Sequence, residues 1–185
     1  MKQFFLASRE ILEVVLISLF TVYIIRSFLV QPFLVSGASM EPNFSDGNYL
    51  LIDELTYRFR PPERGEVTVF RYPGDTKTFY IKRIIGLPGE RVLIQHGVVH
   101  IYNSEYPGGL QLSEEYIPPS VTTIGNVDRT LNVDEYFVLG DNRYFSFDSR
   151  NWGILPKSDI VGVVRLRLLP IRAAQTFAVP SYAPQ

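Results

Sequence analysis

Residues 11–25 read ILEVVLISLFTVYII, an almost unbroken apolar run in which Glu13 is the only charge. Such a run has to be taken out of water. As a helix it extends roughly 22 Å at about 1.5 Å per residue, short of the roughly 30 Å of a hydrocarbon core. By length alone, a buried core helix or the apolar part of a cleavable leader satisfies it equally well. The flanks favour a membrane span. Phe4, Phe5, Leu6 and Ala7 lengthen the run on one side, and Phe28, Leu29 and Val30 on the other. Arg9 and Glu13 stand four apart, where they can pair on one helical face. Arg26 is placed to snorkel to the interface, a layer that also suits Tyr23. No small-x-small site follows at once, because the chain continues Arg26-Ser27-Phe28, and this disfavours a cleaved leader. The expectation is an uncleaved N-terminal transmembrane helix over residues 1–27. Lys2, Arg9 and the amino terminus, set against Arg26, place the N-terminus on the inner side.

After Ser27 the pattern changes. Residues 28–35 are aromatic and β-branched, with Pro32 marking an edge or a bulge. Further strands are predicted over 49–55, 66–72, 78–85, 91–95, 98–102, 129–139 and 160–168, separated by turn clusters such as Pro61-Pro62, Pro73-Gly74-Asp75 and Leu87-Pro88-Gly89. Many short strands without alternating long helices predict a mainly β fold, an antiparallel sheet or barrel-like domain over 28–172. Residues 103–128 are polar and turn-rich and read as an extended loop or flap. Residues 173–185 carry no charge beyond Ala173 and read as a loosely ordered tail.

Composition removes several chemistries. A formal charge of −1 with scattered basic residues gives no footprint for nucleic acid. With no cysteine there are no disulfides, no thiolate zinc site and no cysteine nucleophile. His96 and His100 fall in a hairpin around Gly97, without patterned ligand companions, and read as surface residues. A hydrolytic base here has to be a carboxylate or a lysine.

Three segments carry chemistry. In Val35-Ser36-Gly37-Ala38-Ser39-Met40-Glu41-Pro42, a serine among small residues lets backbone approach a substrate closely. In Tyr80-Ile81-Lys82-Arg83-Ile84-Ile85-Gly86, strand alternation puts Lys82 on the face of Tyr80 and Ile84, and Arg83 on the other. A lysine between apolar neighbours is open to desolvation, which lowers its pKa toward the range of a general base. A strand-edge lysine with a wet head is the competing reading. In Gly140-Asp141-Asn142-Arg143-Tyr144-Phe145-Ser146-Phe147-Asp148-Ser149-Arg150, a dense polar loop follows an apolar strand. Asp148 and Arg150 are spaced to pair and brace it, leaving Ser146 to offer a hydroxyl.

In this order the segments resemble bacterial type I signal peptidases. The resemblance rests on Arg26, Phe28 and Pro32 after the anchor, Ser39-Met40-x-Pro42, Arg64-Gly65-Glu66-Val67-x-Val69-Phe70, Lys82-Arg83-x-x-Gly86-Leu87-Pro88-Gly89, and the box Gly140–Arg150. It covers residues 11 to about 169 and fits the compact form of the family, without a large extra β domain. It implies a serine endopeptidase with Ser39 as acylating nucleophile and Lys82 as general base. Ser146 would orient the Lys82 amine. Asp148 and Arg150 would hold the loop, Met40 and Pro42 would fix the nucleophile's turn, and the Ser39 amide would supply an oxyanion donor. No metal or organic cofactor is implied.

The implied substrates are signal-peptide-bearing preproteins with small residues one and three positions before the cut. The implied setting is the plasma membrane, with a single pass, the lipid bilayer as partner and the catalytic domain outside the cytoplasm; the chain is expected to act as a monomer. Two departures stand out. Some members carry a serine just before the nucleophile whose hydroxyl helps the oxyanion, where this chain has Ala38, with Ser36 earlier. Tyr144-Phe145 replaces a polar pair. The rival readings are a self-cleaving repressor-type Ser/Lys protease, which normally carries a DNA-binding module in place of the apolar segment, and a non-catalytic membrane-tethered β module.

Overall fold

The computed structural model describes residues 2–28, 30–179 and 182. Helix α1 (Lys2–Phe28) leads into strand β1 (Val30–Leu34). There follow β2 (Tyr49–Asp53), the one-turn helix α2 (Thr56–Phe59), β3 (Val67–Tyr72), β4 (Asp75–Gly86), β5 (Arg91–Gln95), β6 (Val98–Tyr102), β7 (Leu110–Gln111) and β8 (Val127–Thr130). The chain ends with β9 (Glu135–Leu139), α3 (Ser149–Trp152), β10 (Leu155–Pro156), β11 (Ile160–Leu169) and β12 (Gln175–Thr176).

Within α1 the side chains of Arg9 to Val22 are described, and all are exposed. Among the described residues no helix is long and apolar enough to cross a membrane. The side chains of Phe4–Ala7, Tyr23, Arg26 and Phe28, invoked above as flanks of a span, lie outside the described ones, as does Leu29 altogether.

Two antiparallel sheets make up the rest. The larger runs β1-β2-β11-β3-β4-β9-β10, and the smaller runs β7-β6-β5-β8. Among the described residues β1 and β10 do not pair with each other, so the large sheet is curled but not closed into a barrel. The curl brings edge strand β1 over toward β4, where Phe33 and Phe79 meet edge-to-face with centroids 5.4 Å apart.

Val92, Ile94, Val99 and Ile101 from the small sheet pack with Ile85, Phe137 and Leu139 from the large one. Gly86 sits at this junction, and a Cβ there would meet Val92 Cγ2 at 2.5 Å and Leu131 Cδ1 at 2.8 Å. Glycine is therefore what lets the end of β4 lie close against the small sheet. A second core, with Met40, Phe44, Leu50, Ile52, Val67, Val69 and Val164, lies under the turn that carries Ser39.

Three expectations need correction. The strand predicted over 129–139 is two strands in different sheets. The Leu131 N–H leaves for the Glu90 carbonyl (2.8 Å), and Asn132 then turns the chain by accepting from Glu135 N–H while its own N–H donates to the Glu135 carboxylate. The flap over 103–128 is tied down. It contributes β7 and the start of β8, and it sends Glu114 and Thr123 to the buried Arg143. The described stretch after Ala173 is also built in through residues 175–177. β12 pairs with Leu166 and Arg167 of β11, continuing the edge that β3 occupies along the first half of that strand, and Phe177 packs on Phe44. An uncharged tail reads as loose in sequence, yet here its backbone completes a sheet edge.

Candidate active site

Ser39 lies in the loop between β1 and β2, in a turn held from several directions. Val35 N–H donates to Asn48 O (2.9 Å), and Gly47 N–H returns to Val35 O (3.0 Å). Gly37, at φ 93°, is the residue two positions ahead of Ser39 and donates its N–H to Asp46 Oδ1 at 2.8 Å. Such a φ is open to glycine and strained for any other residue. Met40 is fully buried and roots the turn in the core, while Pro42 is exposed and follows a cis peptide bond. Ser39 itself stays half-buried, and its N–H donates to no acceptor among the described residues. It is therefore available to a developing oxyanion. The neighbouring Ser36 is exposed.

Lys82 stands in the middle of β4 opposite Thr68 of β3. Its Nζ reaches Ser39 Oγ at 2.8 Å and donates to the Ile81 carbonyl at 2.9 Å. The side chain is only 3% exposed, and the Tyr80 ring lies 5.3 Å from Nζ on the same face. Burial lowers the Lys82 pKa from 10.5 to about 8, against the opposing pull of the Asp148 and Asp141 charges. An amine with that pKa, in contact with a hydroxyl, can take its proton.

The loop after β9 closes over this pair. Asn142 N–H donates to Ser39 O (3.1 Å), and its side-chain Nδ2 to Ala38 O (3.0 Å). Gly140 allows that approach, since a Cβ there would stand 2.4 Å from Ser39 O and 2.2 Å from Ser146 Oγ. Asp148 caps α3 and accepts the Gly140 N–H at 3.0 Å, while Arg150 grips both of its oxygens at 2.8 Å. Asp148 and Arg150 thus pair within this loop.

Ser146 is placed differently from the expectation. Its Oγ is buried beside Gly140 without a hydrogen-bond partner among the described residues, and the Lys82 amine donates instead to the Ile81 carbonyl.

Several residues of the site escaped assignment from sequence. On the face of β4 opposite Lys82, Arg83 forks onto buried Asp141 at 2.8 and 2.6 Å and donates to Gly65 O. Burial works against this guanidinium, but Asp141 outweighs it and keeps the charge in place. Asn43 adds a 2.8 Å bond to Asp141, and Tyr116 lies flat under Arg83 with its centroid 3.9 Å away. Arg143, fully buried, donates to Gly140 O and Glu114. The signal for these residues was the arginine-carboxylate content of the two motifs. The partners, however, lie far apart in sequence. Arg64, from the third motif, reaches the Ile85 carbonyl and Glu90 and braces the far end of β4.

A cavity of about 330 Å³ opens over Ser39 and Lys82, floored by Val35, Leu50, Val69 and Ile81 and flanked by Phe79, Phe145 and Phe147. The family described as signal peptidase, peptidase S26 matches residues 8–169 of the sequence. This chain belongs to that family. It is 39% identical over 154 residues to a probable signal peptidase I-2 of Synechocystis, an alignment that spans 80% of this chain and 66% of that one. It is 33% identical to a probable signal peptidase I-1 of the same organism over 88% of this chain and 83% of that one. It is 32% identical to signal peptidase I P of Bacillus subtilis subsp. natto over 86% and 88%. As a member of the S26 peptidases the chain is a serine endopeptidase.

Proposed function

We propose that Ser39 and Lys82 cleave signal peptides from exported preproteins through an acyl-enzyme. The observation that carries this reading is the 2.8 Å contact between Ser39 Oγ and the amine of a Lys82 that is 3% exposed. In the neutral amine that bond runs from Oγ–H to the Nζ lone pair. Lys82 takes the proton as Oγ attacks the scissile carbonyl, and the Ser39 N–H receives the oxyanion. The ammonium returns the proton to the leaving amine, so that the peptide bond breaks and an ester to Ser39 forms. A water molecule, deprotonated by Lys82, then hydrolyses the ester and regenerates the hydroxyl. Asp148 and Arg150 serve as supports of the closing loop, Met40 and Pro42 as supports of the turn. Ser146 is the packing partner of Gly140 beside the reacting pair.

The chain divides into a membrane anchor (1–27), a β-rich catalytic domain (28–172) and a tail (173–185), and acts as a monomer on preproteins at the outer face of the plasma membrane. The apolar run 11–25 and its flanks support the anchor. Release of the full chain from membranes by high salt alone contradicts it.

The test of the site is replacement. Ser39→Ala and Lys82→Ala should each abolish preprotein cleavage with the circular dichroism spectrum retained. Substantial turnover by either variant refutes the assignment.

A further inference from the structure

Phe145 and Phe147 are 78% and 51% exposed, and both line the cavity that holds Ser39 and Lys82. They are held there by backbone contacts, not by burial of their rings. The Phe145 N–H donates to the Asn142 carbonyl at 3.1 Å, and Asn142 is itself bonded to the carbonyls of Ala38 and Ser39. The position of this ring is thus tied to the nucleophile's own turn. The Phe147 carbonyl accepts Trp152 Nε1 at 3.4 Å, and its ring meets Tyr72 edge-on with centroids 6.0 Å apart. Two large rings fixed at the mouth of a reacting site leave apolar surface in water until a partner covers it.

The floor of the cavity has another character. Val35, Leu50 and Val69 are buried there, and a volume of about 330 Å³ for the whole cavity leaves room below for short side chains. A substrate bound in extended form sends successive side chains to opposite sides. With the small residues one and three positions before the cut turned to the floor, the residue between them turns outward. That is the side on which the Phe145 and Phe147 rings stand.

We infer that Phe145 and Phe147 form an apolar subsite for the substrate residue two positions before the cut, giving the enzyme a preference for a large apolar or aromatic side chain there. This inference rests on the Ser39–Lys82 reading and adds a specificity to it.

The experiment uses the full chain in detergent micelles and internally quenched peptides carrying Ala-x-Ala before the cut, with x as Phe, Leu or Ser. The expected kcat/KM for Phe or Leu exceeds that for Ser by about tenfold, equivalent to about 1.4 kcal/mol. In the double variant Phe145→Ser, Phe147→Ser the ratio should fall toward one, and Phe145→Leu should keep most of it. A ratio taken on one enzyme preparation does not depend on how much of it is folded. Equal rates for all three peptides in the unsubstituted enzyme overturn the subsite while leaving the Ser/Lys reading intact. A ratio that survives in the double variant overturns it too. No cleavage of any peptide overturns both readings together.

Discussion

The sharpest consequence of the geometry is that burial of Lys82 makes the folded chain less stable. In the folded chain the Lys82 pKa is about 8, against 10.5 for the exposed side chain. At about 1.4 kcal/mol for each tenfold change in proton affinity, folding against that shift costs about 3 kcal/mol when the amine is protonated in both states. Below pH 8 the full cost applies. Between pH 8 and 10.5 the unfolded chain holds a proton that the folded chain has released, so stability rises with pH.

Lys82→Met keeps the length and removes the charge. It also removes the bonds to Ser39 and the Ile81 carbonyl, at about 1 kcal/mol. At pH 7 the variant should therefore be the more stable protein by about 2 kcal/mol. By pH 10 its advantage should have shrunk by about 2 kcal/mol. Urea unfolding of both proteins in micelles, followed by the fluorescence of Trp152, the single tryptophan, reads this directly. Other groups titrating over the range cancel in the difference. A gap between the two proteins that stays constant with pH, or that widens as pH rises, refutes the account of a desolvated lysine.

Four further outcomes follow from the same contacts. With a base of pKa about 8, kcat/KM should climb about fivefold from pH 7 to 8 and less than about twofold from 8 to 9, because only the neutral amine works; a flat profile over that range contradicts it. Arg150→Gln leaves Asp148 without its fork, so the carboxylate pulls harder on the amine and the kinetic pKa should move upward in the same pH series. Ser146→Ala removes a buried hydroxyl that has no partner, so stability in urea should be unchanged or higher by up to about 1 kcal/mol, with a smaller loss of turnover than Ser39→Ala causes. Gly140→Ala forces a methyl toward Ser39 O and Ser146 Oγ, and should cut kcat by at least about a hundredfold in peptide assays through displacement of the nucleophile's turn.

Local pattern carried most of the strands. Alternation along 78–85 placed Lys82 and Tyr80 on one face and Arg83 on the other, as the structure has them, because period two is a property of the strand itself. The β5–β6 turn at His96-Gly97 was legible for the same reason, with both residues at positive φ. What escaped is non-local. Glu114 meets Arg143 from 29 residues away, and Asn43 meets Asp141 from 98, so a stretch that reads as a polar flap is in fact the wall behind the site. The surroundings of Ser146 were hidden by similar logic. Sequence supplies a hydroxyl in the right loop, but the bond the amine makes there is to the carbonyl next to Lys82 along the chain.

The arrangement around β4 also explains how a lysine of lowered pKa coexists with two buried aspartates. An unpaired carboxylate in a low-dielectric interior would hold the amine protonated and end its use as a base. Asp141 and Asp148 are both within electrostatic reach of Lys82, yet each is forked by an arginine, Arg83 and Arg150 respectively. An arginine does this where a lysine would not, because its charge survives burial and its planar fork satisfies both oxygens at once. Adjacent residues of one strand thus do opposite things. Arg83 stays charged on one face, paired to Asp141, while Lys82 on the other is desolvated toward its neutral form. The paired motifs Lys82-Arg83 and Asp141…Asp148…Arg150 are best understood as one electrostatic device. Burial lowers the amine's pKa by more than the two arginine-paired carboxylates raise it.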